Sequence, residues 1–397
     1  MRTLLFTGPG GAGTTTLAAA AAIRTARAGR RTLLLSRQET ALAGPDAVPG
    51  LDVVVVDPQA ALERLWPDTV GALTDVLPEL TLPPASSVLP PPGTADLAMF
   101  AALSRADADV VVVDAGQLEA AAALLALPTT LRWWLDQFLP PGVRALGAVR
   151  TAAVTFGTAR RGPVDAALAA IPVLEGLLAR DRLAVPAGTA VCLVAQPRPD
   201  SVARLRTAAT VLALHGVRAA AVLARTLPPD GPGPWWARRA AEQNAVLAEL
   251  AVLAPVHRVP EGATAPDGIE AIADLLADFE LPTAGGRAPA GPERQDGGWR
   301  LTLSLPFAER SAVDLTRWQD DLVVTAVGTR RCLGLDPLLR RCTVTGGRLV
   351  DPGTAEARLE VSFRPDPRLW PADLLTADLL PSGMLSDDLL PAEERTP

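Results

Sequence analysis

Lysine and tyrosine are absent from this chain, so its 37 basic side chains are all arginines. Any site that needs a primary amine cannot be built from this sequence. Cysteine is scarce: Cys192, Cys332 and Cys342 stand far apart or in apolar surroundings, and no C-x-x-C pair occurs. That spacing argues against a cysteine zinc site and against a disulfide framework. The two histidines, His215 and His257, are each isolated and read as surface or loop residues rather than metal ligands. No uninterrupted apolar run approaches about 18 residues, so no membrane-spanning helix is expected. The first apolar run is too short for a signal peptide, and Gly and Pro follow it at once. No basic block stands out and the net charge is −7, which leaves no nucleic-acid footprint. The chain reads as soluble and cytoplasmic.

What is present begins at the N-terminus. Thr3 to Phe6 is an apolar run, followed by a glycine-rich turn at Gly8, Gly10, Gly11, Ala12 and Gly13. An Ala-rich stretch of helix formers follows over Leu17 to Ala28, then a second apolar run over Thr32 to Leu35. Strand, glycine loop, helix and strand in that order open a phosphate-binding α/β domain. The glycines let backbone N–H groups turn toward one point, and the helix start adds its positive dipole end. The spacing from Gly8 to Thr15 fits G-x-x-x-x-G-K-[ST], with Thr14 at the lysine position. Thr15 keeps the hydroxyl that such a loop offers to Mg²⁺, and Thr16 follows it. Two readings of the loop stay open: a site for ATP or ADP with Mg²⁺, or a turn that now only shapes the chain.

The length of 397 residues accommodates one large domain and a small one. Strands are expected at Leu51 to Val56, Val110 to Asp114, Ala190 to Ala195 and Ala219 to Ala224, with Pro255 to Val259 between helices. Helices are expected at Gln59 to Leu65, Gly93 to Leu103, Gln117 to Leu127, Ser201 to His215, Glu242 to Ala251 and Gly268 to Phe279. Pro67 to Pro92, broken by prolines, reads as short helices and loops. Four consecutive valines imply a strand buried on both faces. An aspartate at the end of such a strand sits where open α/β sheets bind ligands. Asp114 is therefore the candidate Walker-B carboxylate and, with Thr15, the candidate Mg²⁺ ligand; the competing reading is a cap for the helix that follows. Alternating strands and helices over residues 1–281 give a doubly wound, mostly parallel sheet. A helical, apolar region over about 125–185, with Trp133 and Trp134, is either core or the lining of a groove.

Residues 282–298 read as a linker from their Gly, Pro and Ala content. From 299 to 363 the period changes to two, as in Arg300 to Leu305, Leu322 to Val327 and Arg358 to Phe363, which predicts a separate small β-sandwich. Residues 364–397 repeat Asp-Leu-Leu and carry an excess of acids, which reads as an acidic flexible tail.

These motifs resemble the ArsA-type ATPases, the family of the arsenite-pump ATPase and of the tail-anchored-protein targeting ATPase. The resemblance rests on GPGGAGTTTLAAA from Gly8, on Val110 to Asp114, on LLALPTTLRWWLDQFL over Leu124 to Leu139, and on Leu223 to Pro228. Residues 299–363 resemble the α-crystallin (small heat-shock protein) module fused to some members. The likeness implies a P-loop NTPase fold of the SIMIBI class with a helical client-binding subdomain. It also implies a dimer, either with itself or with an active relative that supplies lysines.

The chain departs from the family at several positions. Pro9 and Thr14 stand where the family has two loop lysines. Gln38-Glu39 opens the first switch, where no aligned water-positioning aspartate is evident although Asp46 lies close by. Gln117-Leu118-Glu119 replaces the Pro-Thr-Gly of the second switch, and Ala224 replaces the adenine-contacting asparagine. The family's zinc-binding cysteine pair is missing, so no zinc is expected. Phosphoryl transfer depends on positioning and on neutralised charge, so these losses imply a pseudo-ATPase that acts by binding an apolar protein segment or a partner subunit. The alternatives are an atypical ATPase that uses an arginine, for which Arg37 is conceivable, and a structural scaffold.

Overall fold

Runs without alternation become strands covered on both faces. The computed structural model describes residues 2–40, 42, 48–74, 81–156, 163–183, 188–282, 291–295 and 297–370. Seven strands form one parallel sheet: β1 (Arg2–Gly8), β2 (Thr32–Ser36), β3 (Leu51–Val55), β4 (Val110–Gln117), β5 (Thr189–Ala195), β6 (Ala219–Thr226) and β7 (Val256–Pro260). Their spatial order is β3-β2-β4-β1-β5-β6-β7. The glycine-loop strand β1 thus lies between β4 and β5, and Phe6 pairs with both Asp114 and Cys192.

Helices cover the two faces: α1 (Thr14–Arg27), α2 (Pro58–Thr74), α3 (Thr94–Arg105), α4 (Leu118–Phe138), α5 (Pro141–Thr155), α6 (Pro163–Ala179), α7 (Pro199–Leu214), α8 (Gly233–Leu250) and α9 (Gly268–Asp274). Strand alternation divides the core. Leu4, Phe6, Leu34 and Val112 meet the alanines of α1 and the residues of α9 on one face. Leu5, Leu35, Val111 and Val113 meet α3, α4, α7 and α8 on the other. The poly-alanine face of α1 lets that helix lie close to the sheet.

Two helices run past the prolines expected to stop them. α2 includes Pro67, and α4 continues beyond Leu127 through Pro128 to Phe138. A helical proline forfeits one backbone hydrogen bond and crowds the preceding turn. In α4 the burial of Leu124, Leu125, Pro128 and Leu135 outweighs that cost. Trp133 and Trp134 are therefore carried on the helix that begins at Leu118, directly after the strand that holds Asp114.

Period-two segments form a sandwich of two antiparallel sheets. Its elements are β8 (Glu293–Gln295), β9 (Gly298–Ser304), β10 (Val313–Trp318), β11 (Asp321–Ala326), β12 (Thr329–Gly334), the short α10 (Pro337–Arg340), β13 (Cys342–Val350) and β14 (Arg358–Pro365). One sheet is ordered β10-β11-β12 and the other β13-β14-β9-β8. Leu322, Val324 and Ala326 face Leu359, Val361 and Phe363 across the interior. β8 lies inside the span expected as linker, where three residues are too few to display a period. Order also extends past Phe363: Trp370 stacks on Trp299 at 5.3 Å and donates its indole N–H to the Arg341 carbonyl at 2.7 Å. The Asp-Leu-Leu repeats and Asp46 lie outside the described residues.

The sandwich packs against α7. Thr210 Oγ1 lies 2.6 Å from the Pro306 carbonyl, Arg218 donates to Ser304 at 3.2 Å, and Arg331 donates to the Leu214 carbonyl. The Arg206 guanidinium lies 5.4 Å from the centre of the Phe307 ring. His215, expected at the surface, is buried in this seam because it ends α7 directly beneath β12. Burial, and secondarily the Arg331 charge, lower its pKa to about 4. The folded state therefore holds the imidazole neutral, and the unfolded chain takes up a proton first as pH falls below about 6.5. Stability should drop by on the order of 3 kcal/mol between pH 7 and pH 4 through this residue alone. Urea melts across that range should show a smaller drop for His215→Gln than for the parent chain.

Candidate functional site

The end of β1 and the start of α1 are held by two glycines with different tasks. A Cβ on Gly8 would fall against the Val194 carbonyl on β5, so only glycine lets the two strands approach here. Gly13 has φ 93° and is the N-cap of α1; no side chain caps that helix and its first turn holds no acid. The uncapped N–H groups of the first turn are thus available to an anion, and the dipole favours one. Gly10 and Gly11 are exposed at the tip of the turn, Ala12 is buried, and the Ala12 N–H donates to the Pro9 carbonyl at 3.1 Å. Thr14, at the lysine position, is buried.

Asp114 is 1% exposed and stands beside the loop because β4 pairs with β1. Thr15 Oγ1 donates to Asp114 Oδ2 at 2.6 Å. Ser36, at the end of β2, places its Oγ 3.1 Å from the same oxygen. The Gly116 N–H donates to Asp114 Oδ1 at 3.1 Å, and Thr7 Oγ1 donates to the Gly116 carbonyl at 3.0 Å. The helix that follows has Gln117 as its N-cap, so the Asp114 carboxylate does not cap it. Thr15 and Asp114 bring two hard oxygen donors together, the chemistry that Mg²⁺ takes.

Arginines distribute around the loop differently from the sequence expectation. Arg37, the conceivable lysine substitute, is bound to Asp96 of α3 at 2.7 Å. The guanidinium that reaches the loop belongs to Arg225 on β6. A Cβ on Gly13 would meet its Cδ and Nη1 at 3.0 Å. Glu261 lies 3.8 Å from Arg225 Nη2, a loose pairing on a half-buried side chain. The Gln117 amide covers the other side, 3.3 Å from a Cβ placed on Gly10. Sequence reasoning assigned no role to Ser36 or to Arg225, although Arg225 lies within the Leu223 to Pro228 run, because both reach the loop only through strand order.

A second feature lies on the helical layer. Trp134 and Phe138 stack at 5.0 Å on α4. Phe138 is 72% exposed, Leu146 on α5 71%, and Phe156 82%. Val143, Leu146 and Val149 recur at three-residue spacing along α5 and are all exposed, as is Val173 on α6. Exposed apolar side chains gathered on one layer mark an interaction surface. No cluster of three or more His, Cys, Asp or Glu that could hold a metal exists among the described residues. No helix among them is long and apolar enough to cross a membrane.

Comparison with known proteins places these features in context. Residues 1–253 match the family model of the anion-transporting ATPases, and residues 296–363 match that of the HSP20-like domain found in ArsA. An uncharacterised protein of Streptomyces coelicolor is 36% identical over 94% of this chain and 99% of its own length. A protein of Mycobacterium tuberculosis is 30% identical over 93% of this chain and 97% of its own. The arsenical pump-driving ATPase of Escherichia coli is 33% identical over 24% of this chain and 19% of its own.

Asp114→Ala would leave the Thr15 hydroxyl and the Gly116 N–H without their acceptor. The expected loss is about 1–3 kcal/mol of stability, with Asp114→Asn costing less because an amide oxygen still accepts. Denaturant midpoints of the two variants compare these losses directly.

Proposed function

The chain belongs to the anion-transporting (ArsA) ATPase family and carries its HSP20-like domain, and from that premise we propose that it acts by binding rather than by turning over nucleotide. Its occupant is an apolar protein segment or a partner subunit. The observation that carries this reading is the exposed apolar layer of Trp134, Phe138, Leu146, Val149 and Phe156. It follows in sequence directly from the nucleotide loop's own carboxylate strand. The absence of lysine supports the second half of the reading. Loop amides and a helix dipole still attract an anion, but the cation that neutralises the β- and γ-phosphates in this loop type is missing. Dimerisation with a lysine-bearing relative would supply that charge from outside the chain, whereas a second copy of this chain brings no lysine.

Fluorescence anisotropy with a labelled apolar helical peptide tests the binding half. The parent chain should bind in the micromolar range without nucleotide. Phe138→Asp with Leu146→Asp should weaken binding about ten-fold or more, since each charge buries against apolar partner surface. Unchanged binding in that variant would contradict the proposal.

Arg225 favours a second reading, in which a guanidinium on β6 replaces the loop lysine and nucleotide is retained. Arginine's planar fork binds phosphate oxygens well. Under this reading Mg·ATP binds, and Arg225→Gln weakens it about ten-fold. Calorimetric titration of both proteins separates the two.

A further inference from the structure

The outer face of the β10-β11-β12 sheet does not close fully against α4. A cavity of about 810 Å³ remains between them, within the range that small-molecule sites occupy. Its two walls are aromatic: Trp133 and Trp134 project from α4, and Trp318 from the end of β10. Val323 and Cys332 lie between them on neighbouring strands, in register with Thr316. Trp133 also faces Asp321 at the β10–β11 turn, which closes one end.

Two guanidiniums, of Arg330 and Arg331 on β12, line the cavity beside the Asp314 carboxylate, while Asp321 lies at the Trp133 end. Three buried polar atoms of its lining residues have no hydrogen-bond partner, Trp133 Nε1, His215 Nε2 and Arg331 Nε. His215 is more than nine-tenths buried, so its orphan nitrogen is an unmet demand for a polar ligand atom. Burial holds the imidazole neutral at pH 7, so it can meet a carboxylate oxygen as an N–H donor without adding a charge.

We propose that this seam cavity binds a small amphipathic acid, an acyl or aryl monocarboxylate, with its carboxylate toward Arg331 and His215 and its apolar body between the indoles. The site uses no residue of the nucleotide loop and shares Trp134 alone with the exposed apolar layer named above, so Leu146 and Phe138 variants separate the two. Because one wall belongs to the sandwich and the other to the helix that follows Asp114, an occupant fixes the two domains against each other.

Laurate, dodecyltrimethylammonium and the full-length chain provide the test by calorimetry. The expected result is one laurate per chain at micromolar affinity and at least about ten-fold weaker binding of the cation, which has the same tail and the opposite charge. Val323→Trp should abolish laurate binding by filling the cavity, and Arg331→Gln should weaken it about ten-fold. A measurement on the unaltered chain guards against misfolded variants. Cys332 is partly exposed and lines the cavity, whereas Cys192 and Cys342 are buried. Laurate should therefore slow alkylation of Cys332 by N-ethylmaleimide several-fold. Equal binding of the two surfactants, or no protection of Cys332, would overturn the proposal. So would loss of laurate binding in Leu146→Asp, which would move the ligand to the helical layer.

Discussion

The hydrogen bond from Thr15 to Asp114 is the contact on which the site depends. It joins the first turn of α1 to the end of β4, two elements that meet only because β1 and β4 are adjacent in the sheet. Through Gly116, the same carboxylate fixes the path of the chain into α4. Through Ser36, it touches the end of β2. One buried group thus coordinates the loop, the following helix and the neighbouring strand. In a low-dielectric interior such a network resists the loss of any one member.

That network has physical consequences beyond the loop. α4 leaves Asp114 and carries Trp133, Trp134 and Phe138 on its far end, and the sandwich rests against its side. A shift in the Asp114 region would move this helix, and the helix borders both the exposed apolar layer and the seam cavity. The geometry therefore connects the glycine loop to the exposed apolar layer and to the seam cavity. The chemistry at the glycine loop is reduced relative to its type: hydroxyl and carboxylate oxygens remain, the backbone amides remain, and the ammonium is gone.

Features carried by local pattern were legible in the sequence. The valine run gave a buried strand because a parallel strand covered on both faces has no polar side to show. The glycine spacing gave the loop because positive φ at Gly11 and Gly13 and close approach at Gly8 each demand glycine. Asp114 and Thr15 followed from their offsets to those patterns. What was not legible depends on pairing between distant segments. Ser36 carries no signal in its own strand, the run that holds Arg225 says nothing of its reach, and both join the site only through the order β2-β4-β1-β5-β6. His215 looked like a loop residue because the surface that buries it belongs to another domain. Pro128 read as a helix stop because local propensity does not register the core packing of Leu124 and Leu135. β8, at three residues, is shorter than any period that could identify it.

Charge neutralisation at the loop is the central claim, and turnover tests it most directly. Purified full-length protein is incubated with Mg·ATP at near-physiological salt, phosphate release is followed over hours, and Asp114→Asn is run in parallel. The account predicts release indistinguishable between the two, at the rate of the uncatalysed solution. Release that depends on Asp114 would contradict it and would mean that this loop transfers phosphate without a lysine.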